Sequence, residues 1–386
     1  MGKGTAVAEG KGEAQAPGAR GKGKTRFLFI DQFRGLVGIM MALGHSSYYF
    51  NAVWRSLDPL DPFFSNFGQF ALRYMGYLCA PGFLMMNGAM SWYSYTRRIQ
   101  SGKSEWSSKW HLIQRGLFLV LVQVTWVNSS WGGFRTFRPD HIGIIACIGL
   151  SMVLLSLFVN ARVQIRLAIG LLAFAIHPLL LQIHYDPKVA WQLVLMQTFV
   201  DAGSFNKYPV IPWFGLATMG SVMAEGWLSK WKTYGARVQW SLLIAVSAFV
   251  LATIVRMARG YGNIDPFYTF GHYSFFLDQK YPPSLYHNLW FFGAVVFMVT
   301  VIMSIGQILP WLTKPLGTVG RVPLFFYCVH IALLGIISKR MGLYYHQGGV
   351  AASFIGWVAL LIVMYPLALW FGKVKQKSKN HIIQMI

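Results

Sequence analysis

The sequence predicts an all-α integral membrane protein of about ten transmembrane helices, with both termini in the cytoplasm. Three observations point there. Of 386 residues, 55% are hydrophobic and only 12% are charged, roughly half the charge of a soluble domain. Ten apolar segments are long enough to cross a hydrocarbon core, which takes about 20 helical residues. They lie near 27–50, 71–93, 112–128, 142–160, 166–184, 210–228, 239–256, 285–308, 317–338 and 350–371. With the N-terminus inside, the inside segments hold about twice as many of the 34 Lys and Arg residues as the outside ones, as the positive-inside rule expects.

Residues 1–26 are rich in Gly, Ala and Lys without an apolar run, so a disordered basic tail is expected there, with no cleavable signal peptide. Residues 27–372 read as one membrane domain, and 373–386, with Lys373, Lys375, Lys377 and Lys379, as a basic cytoplasmic C-terminal tail. The net charge of +22 thus has a topological explanation. It also suits anionic lipid headgroups. Nucleic acid is not an expected partner, membrane lipids are, and the expected location is a cell (inner) membrane crossed many times.

The first span carries Asp31, Arg34 and His45 where a membrane helix should carry nothing ionisable. At 100° per residue, Arg34, Gly38, Ala42 and His45 share one narrow stripe, which Asp31 and Gly35 widen. The opposite face, with Phe29, Phe33, Leu36, Met40 and Leu43, is expected to pack against lipid or other helices. An ionisable residue at membrane depth is expensive and usually faces a cavity. Histidine near the wet end of a span can serve as a general base. Asp31 and Arg34, at i and i+3, can pair near the inner face.

Arg97, Arg98, Lys103 and Lys109 follow the second span, and Arg115 opens the third. With Lys314 and with Arg321 at the start of the ninth, they form an inner basic set able to hold a polyphosphate such as coenzyme A, or they are plain topogenic charge. Asp140 and His141 lead into the fourth span on the outer side. The apolar run Val189–Val200 is too short to span and is expected at the interface or dipping into the protein. Trp213 enters the sixth span. Residues 257–284 form a long, aromatic-rich outer loop ending in Lys280-Tyr281-Pro282-Pro283-Ser284, ahead of His287 in the eighth span. The tandem proline suits a helix entrance. His330 lies in the outer half of the ninth. Cys79, Cys147 and Cys328 all fall in spans without pairing or metal-ligand spacing. No phosphate-binding glycine loop and no serine-hydrolase elbow is present.

Arg26–Gly35 (RFLFIDQFRG) with a histidine at the far end of the same span resembles the start of integral-membrane acyltransferases. The segment His141–Gly149, Pro212-Trp213-Phe214-Gly215, Lys280-Tyr281-Pro282-Pro283-Ser284-Leu285 and Gly320–Tyr327 with His330 extend the likeness. Together they are similar to bacterial relatives of heparan-alpha-glucosaminide N-acetyltransferase, in the transmembrane acyltransferase superfamily. The resemblance implies transfer of an acetyl group from cytoplasmic acetyl-coenzyme A to a sugar or glycan acceptor at the opposite face, with no metal. Lysosomal members carry asparagine where His45 aligns and a histidine further on; here the next histidine is His111.

On this reading His45, His141, Lys280 and His330 are the candidate catalytic residues. Asp31, Arg34, Arg97, Arg98, Arg115 and Arg321 are the candidate coenzyme-binding residues. His45 either removes the acceptor's proton or carries the acyl group itself. The rival reading is a multi-pass transporter using the same stripe as a proton or substrate path; a non-catalytic scaffold would leave the buried ionisable residues unexplained. A homodimer is compatible with the sequence.

Overall fold

The computed structural model describes residues 27–54 and 66–386. The basic tail expected over 1–26 lies outside the described residues. Among the described residues the only regular elements are helices: α1 Leu28–Phe50, α2 Phe67–Gln100, α3 Glu105–Val122, α4 Asn128–Trp131, α5 Ile144–Phe158, α6 Val163–Leu180, α7 Ala190–Phe199, α8 Val210–Glu225, α9 Tyr234–Met257, α10 Tyr273–Phe276, α11 Leu285–Ile308, α12 Pro310–Gly320, α13 Pro323–Gly335, α14 Val350–Lys377 and α15 His381–Met385. Isolated bridges, such as Lys280 with Pro283, are its extended pairings.

Among the described residues six helices are long and apolar enough to cross a membrane: Glu105–Trp131, Val163–Leu180, Tyr234–Met257, Leu285–Ile308, Pro323–Arg340 and Val350–Lys377. The protein is therefore a multi-pass membrane protein. The remaining apolar segments are helical too, but α5 has 15 residues, α8 has 16, and α1 and α2 carry polar side chains inside the bundle. The ninth apolar segment is not one helix. It breaks at Arg321-Val322, where Pro323 opens α13, because proline supplies no N–H and suits a helix's first turn.

α1 is the central helix, touching α2, α11, α12, α13 and α14. Its bulky face meets protein, not lipid: Phe33 and Leu43 are fully enclosed. The small residues of its stripe make packing rather than a polar path. Gly35 lies on the Leu316 carbonyl and Gly320 on the Asp31 carbonyl, so any Cβ at either would overlap backbone. Ala42 packs in a cluster with Phe326. Close backbone approach through small residues is the usual way helices associate in lipid, where dispersion replaces the hydrophobic effect. The same device joins α2 to α8, with Gly88 against Ala217 and Gly220 against Met85.

Among the described residues three π-turns interrupt the helices, at Gln123–Val127 between α3 and α4, Gly226–Lys230 after α8 and Ile336–Arg340 after α13. Such turns add a residue to one helical turn and redirect side chains, often at functional sites. The connection after α6 holds α7, whose Trp191 and Leu195 are exposed, and returns to the bundle through 201–208. The 257–284 loop is ordered by Arg256, fully buried and 3.3 Å from an equally buried Asp278. Arg256 also donates to the carbonyls of Asp265, Ser274, Phe275 and Leu277. Beyond Lys377 the chain turns into α15, and Ile386 packs back on the core.

Candidate active site

Arg34 and His45 sit 11 residues apart on α1, about 16 Å along the axis. Both line one cavity of about 990 Å³. At the Arg34 end its walls include Arg115, Lys375, Met385 and Ile386; at the His45 end they include Trp131, Lys280, Tyr281 and Tyr327. Met41, Phe83, Leu119 and Ile148 line the stretch between. No Asp or Glu among the described residues faces this cavity. Its charged walls are cationic at both ends and apolar in the middle.

The His45 end is built on a histidine pair. His330 is fully buried on α13, and its Nδ1 lies 2.6 Å from the carbonyl oxygen of Phe326, one turn earlier. A carbonyl only accepts, so Nδ1 carries the proton and neutral His330 is left with a bare Nε2. That Nε2 stands 2.8 Å from His45 Nδ1, and so His45 must donate through Nδ1. The consequence is a lone pair on His45 Nε2, the nitrogen left for the cavity. The proton positions follow from the partners each nitrogen meets. The two rings lie nearly coplanar, with centroids 5.1 Å apart and 9° between planes, as an in-plane N–H···N bond requires, and Trp131 and Tyr327 abut His45 edge-on.

Lys280 enters the cavity from the 257–284 loop, within electrostatic reach of His45. Its Nζ donates to the Gly76 carbonyl at 2.8 Å and lies over the Tyr77 and Tyr281 rings at 5.1 and 5.2 Å. The Tyr281 hydroxyl is 2.9 Å from that of Tyr208. Burial raises the Tyr281 phenol, but Lys280 and the Tyr208 hydrogen bond outweigh it and hold the group below its ordinary range. Burial and the neighbouring Tyr281 push Tyr208 well above. Tyr281 is therefore the acidic member of the pair.

His141 also lines this end, its Nδ1 3.2 Å from the Ser204 carbonyl. The loop carrying it is pinned by the first π-turn. Asn128 Nδ2 donates to the carbonyls of Arg138 and His141 at 2.6 and 2.8 Å, Gln123 Nε2 donates to Asn128 Oδ1 at 2.8 Å, and Gln123 Oε1 accepts from the Ile145 amide at the start of α5.

At the opposite end Arg34 is 3.6 Å from Asp31, which itself lies behind the wall. Arg115, half-buried on α3, is close enough to Arg34 for their charges to interact. Two guanidinium groups within electrostatic reach of each other on one cavity wall can together receive an anion. The other expected coenzyme ligands do not line the cavity. Arg97 donates to the Tyr93 hydroxyl and Arg98 to Ser107, because α2 leaves the cavity wall beyond Ser91. Arg321 sits at the break between α12 and α13. Ser284 proves to be a helix cap, accepting from the His287 amide at 3.0 Å, and His287 is sealed among Tyr77, Trp213 and Phe291.

Several cavity residues escaped the sequence reading. Gln123 and Asn128 gave a weak signal, two amides five residues apart in an apolar span. Lys207, Tyr208 and Tyr281 gave none as a group, since 73 residues separate the two tyrosines.

The catalytic model of the heparan-alpha-glucosaminide N-acetyltransferase family matches residues 26–257. The matched stretch holds Arg34, His45, Arg115 and His141; Lys280 and His330 lie beyond it. No curated protein matches the chain.

Proposed function

The chain belongs to the heparan-alpha-glucosaminide N-acetyltransferase catalytic family, and from that membership we propose that it takes acetyl from acetyl-coenzyme A at the Arg34 end of the cavity and delivers it to a sugar or glycan at the His45 end. The coarser statement, a membrane acetyltransferase, follows from the family itself. In the proposed topology ten spans place both termini in the cytoplasm of a cell with the Arg34 end facing inward. The observation that carries the reading is the single cavity joining a paired-arginine mouth to the unprotonated nitrogen of His45.

Arg34 and Arg115 suit the coenzyme phosphates, with Lys375 adding charge at the same mouth. The apolar passage accepts an extended pantetheine arm, whose length matches a gap of about 16 Å. His45 Nε2 then removes the proton from the acceptor's hydroxyl or amine as that atom attacks the thioester carbonyl. The new carbon–oxygen or carbon–nitrogen bond forms as the carbon–sulfur bond breaks, and the proton passes from His45 to the departing thiolate. His330 holds His45 in the tautomer this requires, as a partner on the far ring nitrogen does in other histidine bases. Holding donor and acceptor in one enclosed channel supplies proximity without a mobile soluble domain.

A transport path through the same cavity would consume no coenzyme A, and the family membership sets it aside. Saturable binding of acetyl-coenzyme A to the purified protein, followed as a thermal shift, tests the reading; absence of binding refutes it.

A further inference from the structure

Among the described residues Lys280 is a buried cation without a carboxylate counter-ion. Only 7% of it is exposed, and no carboxylate pairs with it among the described residues. One backbone carbonyl, two tyrosine faces and the Tyr281 hydroxyl, all of them uncharged or weakly acidic groups, are what solvate it. Burying a charge is costly unless an opposite charge repays the lost water, so this site is complete only when an anion enters it. A second ammonium stands beside it. Lys207 lines the same end of the cavity, is exposed, has no ion pair among the described residues, and lies within electrostatic reach of Tyr281. The Tyr208 and Tyr281 hydroxyls lie between the two lysine-bearing segments and can donate to an oxyanion.

We propose that the acceptor carries a carboxylate or phosphate group, received at the His45 end of the cavity by Lys207 and Lys280. The proposal rests on the acyltransferase reading above for the word acceptor, but the anion subsite stands on its own geometry. It makes the substrate an anionic sugar, with the charged group held on the lysine side while a hydroxyl or amine reaches His45. A neutral sugar would leave Lys280 uncompensated.

The coenzyme's own phosphates are the other source of an anion, and location separates the two. The full chain in lipid nanodiscs is titrated calorimetrically with methyl β-glucuronide, glucose 6-phosphate and neutral methyl β-glucoside, and separately with acetyl-coenzyme A. The proposal expects at least one anionic probe to bind tenfold or more tightly than the glucoside. Lys207→Gln, an exposed substitution that the fold tolerates, should weaken that probe about tenfold, while Arg115→Gln should leave it unchanged. Acetyl-coenzyme A should show the reverse sensitivity. Equal binding of charged and neutral probes, binding of neither anionic probe, or loss of the anionic probe on Arg115→Gln but not Lys207→Gln would each overturn the proposal. Failure of acetyl-coenzyme A to bind the wild-type protein would instead refute the transferase reading, and the anionic probes would still decide the subsite.

Discussion

His45 and His330 meet through Nδ1 and Nε2 at 2.8 Å, and the Phe326 carbonyl on the far side of His330 dictates which nitrogen carries each proton. One backbone oxygen on α13 thereby sets the free lone pair on α1. The pair joins α1 to α13, and because α13 starts at the break after α12, the placement of that break sets where His330 stands.

His45→Ala removes the base while leaving the Arg34 end intact. Transfer to acceptor should fall by about 10²–10⁴-fold, the usual contribution of a positioned base, with the acetyl-coenzyme A dissociation constant unchanged. Single-turnover transfer of labelled acetyl, alongside equilibrium binding, measures both. Trapping of labelled acetyl on His45 in the absence of acceptor would show that His45 carries the group rather than a proton.

His330→Phe keeps an aromatic ring beside His45 and deletes the acceptor for His45 Nδ1–H. The tautomer is then no longer enforced, and kcat should fall by about tenfold or more while KM for acetyl-coenzyme A holds, following the precedent of wrong-tautomer histidine bases. A parallel rise in KM would mean that His330 only shapes the cavity.

Arg115→Gln should raise the KM for acetyl-coenzyme A by about tenfold, the loss expected of one charge-assisted phosphate contact, with kcat preserved. Arg97→Gln should change neither constant, since Arg97 lies off the cavity, bonded to Tyr93. Steady-state kinetics on the two variants checks the assignment of only one of these arginines to the coenzyme.

Arg256→Ala strands Asp278 as an uncompensated buried charge, which costs about 3–5 kcal/mol. The 257–284 loop should become the first site of limited proteolysis. Arg256→Met paired with Asp278→Leu should recover part of the melting temperature, because removing both charges avoids the desolvation penalty.

Gly320→Ala drives a methyl into the Asp31 carbonyl and should cost about 1–3 kcal/mol by overpacking. Gly372→Ala, on α14 with open space around it, should hold or raise the melting temperature. Thermal denaturation of the two variants tests whether the α1–α12 crossing depends on close approach.

The apolar runs are legible as helices because a lipid-facing helix must carry its hydrophobicity within its own 20 residues or so. The breaks within them are less so: Arg321-Val322 looks like span interior until Pro323 is read as a helix start. The functional stripe of α1 splits in the same way. Arg34 and His45 face the cavity, as an ionisable group at membrane depth should, whereas Gly35, Gly38 and Ala42 on the adjoining edge pack against α12 and α13. Small residues serve a polar path or a tight crossing equally well, and only the neighbouring helix tells which. The partners of His45 and Lys280 lie 285 and 204 residues away. No local pattern encodes such contacts.

The central claim is that one cavity holds the coenzyme at the Arg34 end and a free histidine base at the other. A density map of the full protein with acetyl-coenzyme A bound tests it most directly. The account predicts the coenzyme phosphates beside Arg34 and Arg115, the pantetheine arm along Met41 and Phe83, and the thioester facing His45 Nε2. Phosphates lodged at Lys207 and Lys280, with the thioester pointing away from His45, would contradict it.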